Sequence, residues 1–112
     1  MSWLDSAAAL EYIVSMQFEW DKRKNSANIR KHGLDLADAW QIFTTPMLIA
    51  LDDREDYGED RWIGIGILES RVVVIVYTEP GEDTIRVISL RKALSHERTR
   101  YEQVFRDQLG SR

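Results

Sequence analysis

Two stretches of this chain concentrate positive charge. Between positions 86 and 106, Arg86, Arg91, Lys92, Arg98, Arg100 and Arg106 outnumber Glu97 and Glu102, a net +4. Between 19 and 31, Lys22, Arg23, Lys24, Arg30 and Lys31 outnumber Glu19 and Asp21, a net +3. The whole chain is −4, and much of the acid sits in one run, 52–60, where six carboxylates meet Arg54 for a net −5. Basic residues gathered on an acidic protein ask for an anionic partner, although a solvated surface fits the charge equally well. Arginine suits phosphate because its planar guanidinium is always charged and binds bidentately. RNA can be cleaved by its own 2′-OH attacking the adjacent phosphate. That reaction needs cations to stabilise the phosphorane-like transition state, and groups that move protons. The arginines suit the first task; His96, His32, Glu97 or Tyr101 suit the second.

Other chemistries have less support. Without cysteine there is no disulfide framework and no thiolate nucleophile. The two histidines, His32 and His96, lack metal-ligand spacing, and no structural metal site is expected. The acidic run lacks the calcium-loop pattern, so it reads as a solvated loop. Gly64-Ile65-Gly66 has no third glycine and opens no helix, so it is no dinucleotide fingerprint; bare glycines there let a helix or ligand approach the sheet. No Gly-x-Ser-x-Gly elbow supports a hydrolase triad.

The elements that must position these residues can be read from periodicity. At 112 residues the chain makes one domain. Residues 1–15 read as a helix-prone N-terminal extension before a single domain over 16–112. Phe18 and Trp20 alternate with polar neighbours, as in a short strand. Asp21 caps a very polar helix over 22–32, ended by Gly33. Asp35 caps a second helix, in which Leu36, Ala39, Trp40 and Phe43 recur at helical spacing. Strands follow over 47–51, 61–68, 71–78 and 84–90, and a final helix over 92–108. Consecutive strands with short turns predict an α+β fold: an antiparallel sheet of four or five strands, with two N-terminal helices and one C-terminal helix. No apolar run is long enough to span a bilayer and no secretory leader is evident, so a cytoplasmic protein is expected.

Two details bear on the cations. Arg86 and Arg91 are five apart, so a regular strand sends them to opposite faces; they converge only if the strand ends or bulges near Ser89-Leu90. Leu94, Arg98, Tyr101 and Phe105 share one helical face. Arg98 then sits within the apolar stripe, either as a packed stem with a snorkelling head or as an arginine held by the core and aimed at an anion.

These residues also carry a resemblance. Phe18-Glu19-Trp20-Asp21-x-x-Lys24-x-x-x-Asn28-x-x-Lys31-His32-Gly33 is similar to the opening signature of BrnT-type toxins. Arg61, Gly64-x-Gly66, Thr78, and Ile85 to Ala93 with Glu97-Arg98 and Tyr101 resemble the rest of the pattern, over roughly residues 17–103. The resemblance implies a RelE-like ribonuclease toxin of a type II toxin–antitoxin pair, needing no metal or cofactor. It implies neutralisation by a BrnA-type antitoxin and contact with operator DNA only through that partner. A homodimer within the complex is compatible with it. By motif position the candidates are Arg86, Arg91, Arg98 and His32 for catalysis, and Lys24, Arg61 and Tyr101 for RNA contact, with Tyr101 alternatively a core anchor. The alternative reading is a non-catalytic module acting as corepressor with a DNA-binding partner, which the net acidity favours.

Overall fold

The computed structural model describes residues 15–108; the expected N-terminal extension lies outside them, Ser15 apart. Strand β1 (Gln17–Trp20) leads through the Asp21 cap into helix α1 (Lys22–His32). A 3-10 helix (Leu36–Thr44) follows, then β2 (Leu48–Leu51), β3 (Trp62–Leu68), β4 (Arg71–Gly81), β5 (Thr84–Lys92) and helix α2 (Ser95–Gln108). The strands form one sheet in the order β1-β5-β4-β3-β2.

The expected α+β class holds, with two corrections. The sheet is mixed, because β1 pairs with β5 in parallel while every other pair is antiparallel. A parallel partner needs a long crossover, and here most of the domain lies between the two strands. The second helix is a 3-10 helix. Of its buried residues Leu36, Ala39, Ile42 and Phe43, the first three repeat every third position, the period of that helix, while Trp40 is 45% exposed.

The core lies between this 3-10 helix and one face of the sheet. Leu36, Ala39, Ile42 and Phe43 pack on Val73, Ile75, Tyr77, Ile85, Val87 and Leu90. Phe43 joins the layers, with ring centroids 5.4 Å from Phe18 and 5.2 Å from Tyr77. The paired glycines serve this packing. A Cβ on Gly66 would lie 2.6 Å from Ile42 Cγ2, and one on Gly64 would lie 2.6 Å from Met47 Cε. The β3–β4 turn holds both Glu69 (φ 50°) and Ser70 (φ 69°) in the left-handed region. Positive φ at both central residues matches the twist of a two-residue hairpin, although neither residue is a glycine or asparagine.

Helix α2 lies against β3 and β4. Tyr101 anchors it: the ring is 4% exposed and the hydroxyl donates to the Pro46 carbonyl at 2.8 Å. Val74, on the sheet face away from the 3-10 helix, is also buried.

Candidate active site

The irregularity in β5 decides where the arginines point. Tyr77 pairs with Val87 but Val76 pairs with Ser89, so Ile88 is an extra residue with no partner of its own. A bulge of this kind re-aims every side chain beyond it. Thr78, Val76 and Val74 alternate regularly along β4, and their partners on β5 are Arg86, Ser89 and Arg91. The three therefore share the sheet face opposite the 3-10 helix. Four residues of β4 separate the partners of Arg86 and Arg91, or about 13 Å along the strand. One extra residue thus brings to a common face two arginines that regular strand parity sends to opposite faces.

Each arginine has a carboxylate partner. Arg86 pairs across the parallel ladder with Glu19, Nε donating to Oε2 at 2.6 Å, and both side chains are nearly half exposed. Arg91 grips Glu97 bidentately at 2.8 and 2.9 Å. Glu97 also accepts the Leu94 backbone N–H at 2.7 Å, which makes it the capping carboxylate of α2. The Arg91 guanidinium foremost, with the Leu94 N–H, pulls the Glu97 carboxyl down to about 2. The first pair is loose and solvated; the second locks the start of α2 to the end of β5.

Helix α1 delivers a second group to the same end of β5. Where β1 stops, the Asn28 carboxamide takes over the β5 edge. Nδ2 donates to the Leu90 carbonyl at 2.8 Å, and the Leu90 N–H donates back to Oδ1 at 3.1 Å. Asn28 Nδ2 also donates to Leu34 O, closing the helix exit. His32 lies one turn beyond Asn28 on the same stripe and comes near Arg91. Partial burial, then the charges of Lys31 and Arg91, lower its pKa below the ordinary imidazole value. Lys24 occupies that stripe one turn earlier and is exposed.

The run 52–60 is more ordered than a solvated loop. Its hub is Asp52, whose side chain is fully enclosed. Asp52 accepts from Arg54 Nε and Nη2 and from the Tyr57 hydroxyl, and chiefly the Arg54 bonds hold its carboxyl down at about 2. Arg61 stacks on Tyr57, 4.1 Å from the ring centroid, and continuing the β3–β4 register one step sets it opposite Thr78. Arg61 Nε and Thr78 Oγ1 are buried with no hydrogen-bond partner among the described residues. The hollows beside this loop are lined mainly by carboxylates, one of about 290 Å³ by Glu59, Asp60 and Glu79 with Trp62, Thr78 and Pro80. Among the described residues no group of three His, Cys, Asp or Glu could hold a metal ion, and no helix is long and apolar enough to cross a membrane.

The comparisons now bear on this geometry. Residues 20–97 match the family model described as the ribonuclease toxin BrnT of type II toxin–antitoxin systems. The chain belongs to the BrnT family. The fold agrees with the crystal structure of the Brucella abortus ribonuclease toxin BrnT. Sequence identity is 29% and the TM-score 0.57, over 71% of this chain and 99% of that one. No curated protein sequence matches the chain. The match to the BrnT model takes in Lys24, His32, Arg61, Arg86 and Arg91 and ends at Glu97.

Beyond that end, Arg98 and Tyr101 part company. Arg98 is exposed, not set within an apolar stripe. Helix α2 begins at Ser95, so Leu94 is its cap, 55% exposed, and the inward face runs through Glu97, Tyr101, Val104 and Phe105. Tyr101 spends its hydroxyl on Pro46. Sequence reasoning passed over Glu19 and Asn28 as site residues. Both stand in the BrnT opening signature, yet only the β1–β5 pairing and the β5 edge bonds give each a partner.

Proposed function

We propose that this BrnT-family chain is an endoribonuclease toxin acting in the cytoplasm without a metal, on a RelE-like scaffold. In this reading the 2′-OH of RNA attacks the adjacent phosphate. Arg86 binds that phosphate and offsets the charge that grows on its oxygens, while Arg91, about 13 Å along the strand, binds a neighbouring phosphate of the backbone. His32, with its lowered pKa, is largely neutral near pH 7 and stands beside Arg91 as a contact for the RNA backbone. Lys24 and Arg61 extend the cationic track, and Arg98, though exposed, adds charge at its α2 end. Tyr101 serves by holding α2 in place. The observation that carries the reading is the bulge at Ile88, which sets Arg86, Ser89 and Arg91 on one face.

The partner implied is a BrnA-type antitoxin that neutralises the toxin and supplies the operator contacts, with a toxin homodimer compatible with the complex. The test is cleavage of single-stranded RNA by the purified chain in the presence of a chelator. Arg86→Ala should abolish cleavage with the circular dichroism spectrum unchanged. An Arg86→Ala variant that cuts as well as the parent would rule the assignment out.

One observation favours the second reading, a corepressor without catalysis: both arginines are occupied by carboxylates in the free protein. It calls for operator binding together with the antitoxin and no RNA cleavage by the toxin alone.

A further inference from the structure

A ribonuclease of this kind needs a group to take the proton from the attacking 2′-OH, and that group must lie close to the phosphate-binding arginine. At attack the 2′-oxygen is within bonding approach of phosphorus, so a base that touches the guanidinium is already within range. Several side chains near β5 can be excluded. Glu97 is half-buried, holds Arg91 and the Leu94 N–H, and with its carboxyl at about 2 is a feeble base. The Tyr101 hydroxyl is buried and committed to Pro46. His32 lies at the Arg91 end, about 13 Å along the strand from Arg86.

Glu19 is differently placed. Its register partner is Arg86, so it shares the face of Ser89 and Arg91. Only Oε2 is engaged, by Arg86 Nε and Nη2, and Oε1 takes no hydrogen bond among the described residues. With 46% of the side chain in solvent, the pair is of the weak exposed kind, and Arg86 can turn to a phosphate at little cost.

We propose that Glu19 is the general base of the reaction, a role that rests on the ribonuclease reading above. A phosphodiester seats on Arg86 and displaces it from Oε2. The freed carboxylate faces the neighbouring ribose. Glu19 takes the 2′-OH proton as the 2′-oxygen forms its bond to phosphorus. The bond from phosphorus to the 5′-oxygen breaks, and that oxygen takes a proton from solvent water. The products are a 2′,3′-cyclic phosphate and a free 5′-OH, and Glu19 returns its proton to solvent. No oxidant, reductant or cofactor enters the balance.

The test is Glu19→Gln in the full chain, assayed on a single-stranded oligoribonucleotide with kcat and KM separated. Removal of a general base lowers kcat by about 10²–10⁴-fold, while KM stays level or falls because a negative charge has left the anion site. Glu19→Asp, which keeps the carboxylate on a shorter stem, should recover part of kcat, and thermal melts should show both variants folded. A Glu19→Gln variant that cuts as fast as the parent or faster overturns the proposal and makes Glu19 a mere competitor for Arg86. An equal loss in Glu19→Gln and Glu19→Asp that lies in KM alone also overturns it. If the folded parent cuts no RNA, the ribonuclease reading itself fails and takes the role of Glu19 with it, a result distinct from an active parent whose Glu19→Gln variant is unaffected.

Discussion

The Asn28 carboxamide binds both backbone groups of Leu90, its carbonyl at 2.8 Å and its N–H at 3.1 Å. One side chain thereby extends the sheet edge beyond the end of β1 and fixes the exit of α1 beside Arg91. Asn28 is 7% exposed, so its loss strands buried polar groups. We expect Asn28→Ala to cost about 3 kcal/mol or more, because Leu34 O, Leu90 O and Leu90 N are left unmet at roughly 1–3 kcal/mol each. Urea denaturation checks this, and a loss below about 0.5 kcal/mol would contradict it.

The two arginines should separate function from stability. Arg86→Ala removes an exposed pair and should change stability by no more than about 1 kcal/mol while RNA cleavage is lost. Arg91→Ala leaves Glu97 with 18% of its side chain exposed and no counter-charge, and should cost roughly 2–3 kcal/mol. Melting curves of the two variants side by side decide; equal destabilisation would be the wrong outcome.

The Arg91–Glu97 clasp also predicts a pH window. Glu97 falls from 4.5 to about 2 on folding. A depressed carboxyl stabilises the fold above its unfolded value, and that contribution drains away as pH drops through the folded value. The stability gap between the parent and Glu97→Gln should therefore be full at pH 6, on the order of 2 kcal/mol after allowance for the part-exposed Arg91. It should close between about pH 4.5 and pH 2. A gap independent of pH would mean that the clasp contributes through packing alone.

The two glycines of β3 should respond unequally to alanine. At Gly66 a methyl meets Ile42 Cγ2, deep in the core, with Thr45 and Met47 on the other sides. At Gly64 the close atom is the mobile end of Met47. Gly66→Ala should cost about 1–3 kcal/mol and Gly64→Ala clearly less, as read from chemical denaturation; the reverse order would refute the packing account.

Much of this fold was legible because alternation marked β3 and β-branched runs marked β4 and β5, although Pro80-Gly81, which reads as a turn, lies within β4, and because Asp21, Gly33 and Asp35 punctuated the helices where expected. What failed did so for identifiable reasons. Leu36, Ala39 and Ile42 already repeat every third residue, but Trp40 and Phe43 completed an α-helical pattern that hid the tighter period. The parallel direction of β1 is a long-range property, and four residues carry no local sign of it. The need for a bulge followed from counting, yet its place at Ile88 depends on the partner strand. Arg98 was set in a stripe because Leu94 was counted as helical, and a start at Ser95 turns that residue outward. Asp52 looked like one solvated acid among six, and only the fold reveals Arg54 and Tyr57 closing over it.

The β1–β5 ladder also has a kinetic consequence. Strands β3, β4 and β5 can zip through tight turns, whereas Glu19 and Arg86 are 67 positions apart. Closing so long a loop costs more entropy and comes later. Pulse-labelled hydrogen exchange during refolding should therefore protect the β4–β5 amides before those of β1, and simultaneous protection would argue against this order. Until β1 docks, Arg86 already stands on a finished hairpin while its carboxylate is absent, so under the proposed mechanism an assembling chain would hold an anion before it acquires the base to cut one.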